Sequence, residues 1–223
     1  MDLSIKQKVK LTLLKGFGSV EEASKAFDFV MNYKETAQKA CCQENCKDAL
    51  PTVGLYLLYS DGHHEEFTGD NPRTDVTHVG VLFQGHTFAV GLNDLPRKYE
   101  LVRNSDSCEK DSPFYKTEID SLFDWDAESN TKHIVEAGTD IPLNDGEFIP
   151  TAAMLTTMYR MRKELNEALE YVGGEPLKTD DWYWSSSENS QHGSWVLRFG
   201  NGYLNGNLKY GSYYVRPCTA FEL

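Results

Sequence analysis

The feature that most narrows the fold is one long 3.6-residue repeat standing among short strand-like runs. Leu155, Met158, Tyr159, Met161, Leu165 and Leu169 fall on a single helical stripe. Thr151, just after Pro150, is placed to cap that helix, and Gly173-Gly174 to end it. A methionine stripe at this spacing is core packing rather than a cofactor box. The runs around the helix have a period of two. Residues 53–59 read as a strand closed by Ser60-Asp61-Gly62, and residues 77–83 and 87–92 flank Gln84-Gly85-His86 as a hairpin. Trp195, Leu197 and Phe199 alternate with Val196 and Arg198, which predicts one apolar face and one face open to solvent. Gly200-Asn201-Gly202 and Gly206-Asn207 read as turns, and Tyr213-Tyr214-Val215 as a closing strand. Residues 93–128, polar and Asp-rich, read as a long surface excursion, followed by a short helix capped by Asn130 and stopped by Gly138. A helix segregated among antiparallel strands is the α+β class.

Upstream of Pro51 the texture is helical. Leu3, Ile5, Val9, Leu11, Leu13 and Leu14 make a short apolar helix that Gly16-Phe17-Gly18 ends. Ser19 with Glu22 forms a capping box for a second helix carrying Ala23, Ala26, Phe27, Val30 and Met31 and reaching about Cys41. The polar stretch 43–48, closed by Pro51, reads as a linker. The expected organisation is a small helical N-terminal region, 1–50, for docking or oligomerisation, and a main domain, 51–223.

Charge excludes several function classes. Thirty-four acids against twenty-two bases leave a net charge of −12. Displacing counterions from nucleic acid needs a basic stripe, and none is present; an anionic membrane surface is disfavoured for the same reason. No run approaches the roughly 18 apolar residues of a membrane span, so no membrane insertion is expected. The start is charged at Lys8, Lys10 and Lys15 without an apolar stretch of signal length, which predicts cytoplasmic synthesis without Sec export. The five cysteines, Cys41, Cys42, Cys46, Cys108 and Cys218, are odd in number, which suits a reducing compartment. Cys41-Cys42-x-x-x-Cys46 matches no common zinc spacing and reads as unreactive thiols at a helix end or linker.

Catalytic and metal-binding patterns are missing where they would be sought. Asp124, Asp126 and Glu128 lack the tight-turn Gly and distal Glu of an EF-hand and read as a solvated acidic turn. His63 and His64, adjacent on a strand, point to opposite faces. Ser185, Ser186 and Ser187 near His192 have no nucleophile-elbow context, and no phosphate-cradling glycine loop occurs. The expectation is a protein that is not an enzyme, with no cofactor and no metal.

Three C-terminal segments, 183–188 (Tyr-Trp-Ser-Ser-Ser-Glu), 194–199 (Ser-Trp-Val-Leu-Arg-Phe) and 214–221 (Tyr-Val-Arg-Pro-Cys-Thr-Ala-Phe), carry a resemblance. They resemble the C-type-lectin-like domains of bacteria and phages that serve as variable proteins of diversity-generating retroelements. Val53-Gly54 with Tyr59-Ser60-Asp61-Gly62, Asp124-Trp125-Asp126 with Asn130-Thr131, and Phe148-Ile149-Pro150-Thr151 are similar to that family's earlier segments, in family order. The resemblance covers about residues 53–223. It implies a C-type-lectin-like fold of two helices and a twisted antiparallel sheet with long loops, in which the terminal strands pair. Animal C-type lectins bind calcium through Glu-Pro-Asn and Trp-Asn-Asp segments; Glu175-Pro176-Leu177 and Trp195-Val196-Leu197 depart from both. The formylglycine-generating oxidases of the same broad fold need a cysteine pair that Cys108 and Cys218 do not supply.

The resemblance also implies a ligand-binding surface on the last sheet, and composition converges on the same stretch. Residues 189–213 are rich in Asn, Ser, Gly and Tyr, which combine adaptable hydrogen bonds with flat aromatic anchors as paratopes do. The outward, ligand-binding candidates are Ser190, Gln191, His192, Ser194, Val196, Arg198, Tyr203, Asn205, Asn207, Tyr210, Ser212 and Tyr213. Arg198, Tyr203, Tyr210 and Tyr213 are the expected anchors. Trp184, Trp195, Leu197, Phe199, Leu204 and Phe221 are assigned to the core. Ser185, Ser186, Ser187 and Glu188 are expected to brace their loop by local hydrogen bonds, and Arg216 to pair with an acid.

The expected function is non-enzymatic ligand or receptor binding through a variable C-terminal face, on a phage virion or a cell surface, as the target of a diversity-generating retroelement. The expected partner is a host-surface protein or glycan. Residues 1–50 are expected to form a trimer or to dock on a virion protein. The alternative is a structural virion decoration protein that recognises no ligand.

Overall fold

Residues 53–102 and 117–223 are described in the computed structural model. The N-terminal helices, the Ser19/Glu22 capping box, the linker, and Cys41, Cys42, Cys46 and Cys108 lie outside the described residues. Alternation and turn chemistry build the first sheet. Strand β1 (Val53–Tyr59) pairs antiparallel with β2 (His64–Glu66) and with β3 (Val76–Phe83). The expected hairpin joins β3 to β4 (His86–Gly91) through Gln84 (φ 52°) and Gly85 (φ 86°), two left-handed residues that match the twist of the flanking strands. Short strands β5 (Glu147–Phe148) and β9 (Cys218–Thr219) complete the order β2-β1-β3-β4-β9-β5. Leu55, Leu57, Val79, Val81, Phe88 and Val90 face the main core, while Tyr56, Leu82 and Ala89 pack with Phe221 in a smaller cluster.

The expectation that the terminal strands pair is not met. Strands β1 and β9 share the sheet but are separated by β3 and β4, because Cys218 and Thr219 pair with Val90 and Ala89 on one side and with Phe148 and Glu147 on the other. Contact between the two ends comes instead from Phe221, whose ring lies 5.6 Å from Tyr56 and 5.2 Å, edge-on, from His64.

The helices are α1 (Glu118–Ser121), α2 (Ala127–Glu136), α3 (Ala152–Arg160) and α4 (Arg162–Tyr171). Thr151 caps α3 as expected, its hydroxyl accepting from Met154 N at 3.2 Å. The single helix expected here is interrupted at Met161, yet Leu155, Met158, Leu165 and Leu169 all reach the main core. Gly173 (φ 83°) ends α4 and Gly138 (φ 91°) follows α2, the left-handed stops the sequence implied. Asn130 is not a cap. Asp126 caps α2 by accepting from Ser129 N at 3.2 Å, and Asn130 lies a turn inside the helix, donating to Asp124 Oδ2 at 2.7 Å. The acidic turn is thus taken up in ending and starting local structure. None of the described helices is long and apolar enough to cross a membrane.

A second antiparallel sheet, β6 (Trp182–Ser190), β7 (Gly193–Arg198) and β8 (Tyr203–Leu208), runs in that order. Tyr183, Leu197 and Phe199 join the main core, with Leu204 packed against it. On the opposite face Trp184 and Val196 meet Tyr99, Leu101, Ile134, Ile141, Ile149 and Val215 in a second core. Residues 93–102 are therefore not part of a surface excursion. Tyr99 N donates to Tyr213 O at 2.8 Å and Tyr213 N to Tyr99 O at 3.1 Å, while Trp184 Nε1 donates to Tyr99 O at 2.8 Å. Nor do residues 213–215 form a strand: Tyr213 and Tyr214 make single bridges to Tyr99 and Tyr183.

Candidate ligand-binding face

Strand β8 is the outer strand of its sheet among the described residues, and its alternation decides what reaches solvent. Tyr203 is 59% exposed and Tyr210 45%, and His192, Asn205 and Ser212 are exposed as well. Ser190, Gln191, Arg198, Asn207 and Tyr213 are half-buried. Ser194 and Val196, expected to point outward, are fully buried. They do lie on the face opposite Trp195 and Leu197, as the period of two requires, but the second core covers that face at the central strand. Tyr213 is only partly available, since its ring packs edge-on against Trp184 at 4.8 Å.

One end of the face is built from three strands. Arg198 pairs in register with both Trp182 on β6 and Tyr203 on β8, which sets the three side chains side by side. The Trp182 and Tyr203 rings meet edge to face at 5.7 Å. Arg198 Nε donates to Thr179 O at 3.4 Å and its guanidinium faces Asp180 at 3.7 Å. Trp182 was not among the sequence candidates. Its signal was present, because it stands two residues before Trp184 and so shares that residue's side of β6, partly buried against the edge of the second core.

The other end turns on glycines. Gly206-Asn207, expected as a turn, lies inside β8. Asn189 explains the glycine: a Cβ on Gly206 would stand 1.9 Å from Asn189 Nδ2, and one on Gly193 would stand 2.4 Å from Asn189 Oδ1. A side chain at either strand position would have to displace the Asn189 amide. β6 is irregular here, its register shifting on both sides of Glu188.

The Trp-Ser-Ser-Ser-Glu segment is internal bracing, although not all of it is local. Ser187 N donates to Ser185 Oγ at 3.2 Å, Ser187 Oγ accepts from Ala152 N at 3.0 Å, and Ser186 N donates to Pro150 O at 2.9 Å. This ties β6 to the start of α3. Glu188, expected to bond locally, forms a buried ion pair with Lys209 instead. The three serines are buried while His192 is exposed, so the hydrolase arrangement is not assembled. Arg216 finds its acid in Asp94, with Nε donating to Oδ1 at 2.6 Å. Trp184, Trp195, Leu197, Phe199 and Phe221 are buried as assigned, and Leu204 is half-buried.

What remains at the surface is a Trp-Tyr-Arg corner continuing into Asn205 and Tyr210, above a sheet whose inner residues are fixed by packing. Such a surface can hold a partner by flat aromatic contact and by hydrogen bonds. No protein-family model matches the chain, and no curated protein matches it. Among solved structures it is similar to a fimbrial protein from Bacteroides ovatus ATCC 8483, with a TM-score of 0.54 and 12% identity over 77% of this chain and 49% of that one. The chain thus spans about half the length of that neighbour. At this identity the likeness concerns the fold alone, that of a mixed helix and sheet protein with antiparallel sheets.

Proposed function

We propose that residues 53–223 are a non-enzymatic ligand-recognition module of the C-type-lectin-like type, whose variable face is centred on β8. The observation that carries this reading is the separation of roles along one sheet. Tyr203, Asn205 and Tyr210 can change without disturbing what lies beneath, because the packing there rests on Trp184, Val196, Leu197 and Phe199. A surface of this kind suits diversification by a retroelement acting on residues 189–213. The partner is a host-surface protein or glycan, and residues 1–50 serve for docking or trimerisation. A neighbour described as a fimbrial protein favours display on a cell surface over a virion.

Deep sequencing of the locus across a population tests this reading. Replacements gathered at His192, Arg198, Tyr203, Asn205, Tyr210 and Ser212, with Trp195, Leu197 and Phe199 unchanged, are the expected result. An even spread of silent changes would overturn it in favour of a decoration protein that recognises nothing. A protein-level test accompanies it. Alanine at Tyr203, Asn205 and Tyr210 together is expected to change unfolding free energy by no more than about 0.5 kcal/mol per site, as for surface positions. A larger loss in urea denaturation would mean that the face is structural.

A further inference from the structure

A cavity of about 150 Å³ lies beside the C-terminal half of α2, away from the Tyr203 corner. That is smaller than the roughly 300–1,000 Å³ of drug-sized pockets and suits only a compact ligand. Val102, Ile134 and Ala137 give it an apolar wall, and the Glu188–Lys209 pair forms part of its lining. That pair is built into the protein: the two side chains are 3% and 6% exposed. Lys209 is fixed at the backbone as well, its N donating to His192 O at 3.0 Å and its O accepting from Leu101 N at 2.8 Å.

The hydrogen bonding of the pair is incomplete in a specific way. Glu188 Oε1 accepts from Lys209 Nζ, but Glu188 Oε2 is buried and has no partner among the described residues. The hydroxyl of Ser194, directly across the ladder from Glu188, also has none among the described residues. Lys209 Nζ donates to Glu188 and to Gln191 O, at 3.0 Å for the latter, and an ammonium carries one N–H more than these use. Buried polar atoms normally find partners. A carboxylate oxygen in need of a donor, next to an ammonium with a proton to give, matches a group that both donates and accepts.

We propose that this cavity binds a small neutral polyhydroxylated molecule. A hydroxyl donates to Glu188 Oε2 and accepts from Lys209 Nζ, while a C–H face of the same molecule lies on Val102, Ile134 and Ala137. Charge selects against the alternatives. An anion meets the carboxylates of Glu188 and Glu136, which also line the cavity, and an ammonium or a metal ion has no acceptor to offer the remaining Lys209 N–H. The site does not depend on β8 serving as a recognition face.

The test is an amide NMR titration of the full chain with myo-inositol and with glycerol, using methylammonium chloride and sodium acetate as charged controls. The expected result is saturable shifts at Val102, Ile134, Ala137 and Lys209 below about 50 mM of at least one polyol, an affinity within reach of a few hydrogen bonds. Ala137→Phe, which crowds the cavity without touching the ion pair, is expected to weaken binding by about tenfold or more. Tyr203→Ala is expected to bind as the unaltered protein does, which separates this site from the β8 face. Absence of those shifts with both polyols, unchanged binding in Ala137→Phe, or equal binding of a charged control would overturn the proposal and leave the β8 reading standing.

Discussion

Asp94, which no motif advertises, gathers three side-chain donors on one buried carboxylate. Its side chain is 2% exposed and accepts from Arg216 Nε at 2.6 Å, Lys178 Nζ at 2.6 Å and Tyr183 Oη at 2.9 Å. Arg216, fully buried, also sends Nη1 to the carbonyls of Gly91, Leu92 and Glu175 at 3.0–3.1 Å. One carboxylate thus holds the end of β4, the segment after α4, the start of β6 and the segment before β9 together. Burial and the Asp94 carboxylate push the Tyr183 hydroxyl well above the ordinary tyrosine range, so it stays a donor. Asp94→Asn leaves the Arg216 charge uncompensated in the interior and is expected to cost about 3–5 kcal/mol. Tyr183→Phe, which removes one donor and keeps the ring, is expected to cost about 1 kcal/mol, or somewhat more because the acceptor is charged. Urea denaturation of the two variants checks the order. A near-neutral Asp94→Asn would show that the pairing is not what fixes these segments.

At the scale of elements, helix α3 is held at its first turn from two directions. Thr151 Oγ1 accepts from Met154 N at 3.2 Å, and Ser187 Oγ on β6 accepts from Ala152 N at 3.0 Å. Thr151→Ala is expected to cost about 1 kcal/mol as a lost cap. Ser187→Ala strands a buried N–H and is expected to cost about 1–3 kcal/mol. Thermal unfolding that leaves Ser187→Ala unchanged would remove the second tie. The first half of this arrangement was legible in the sequence and the second was not. A cap is local, so Thr151 before a 3.6-residue stripe declares itself, as do the Gln84-Gly85 hairpin and Gly173. The break at Met161 left no trace because the apolar stripe keeps its phase across it. Asn130 and Asp126, one turn apart, offer the same capping chemistry, and only the fold decides for Asp126. Ser194 and Val196 show the same limit at the candidate face. A period of two separates the sides of β7 but does not say whether the second side is covered. The cover comes from Tyr99, Leu101, Ile134 and Val215, which are distant in sequence.

For the whole molecule, acidity is the regime in which opposing effects meet. The net charge of −12 and a pI near 4.9 mean that lowering the pH relieves self-repulsion and so favours the folded state. His78 works against this. It sits half-buried on β3, paired with Leu58 of β1 and Gly91 of β4, and burial lowers its pKa below the ordinary 6.5, with the Glu147 carboxylate opposing that shift. A histidine whose folded pKa is depressed binds fewer protons folded than unfolded. Its contribution is complete above the unfolded value and is lost as pH falls from there toward the folded one. The sign is therefore destabilisation on acidification, beginning near pH 6.5. His78→Gln removes the titration while keeping a polar side chain of similar reach on the strand. Unfolding free energies measured from pH 7.5 down to about 5, above most carboxylate titration, are expected to fall more steeply for the unaltered protein than for the variant. Because both carry nearly the same background charge, their difference isolates His78. Parallel curves would mean that β3 accommodates the protonated ring without cost, and that solvent reaches that strand more freely than its place between β1 and β4 implies.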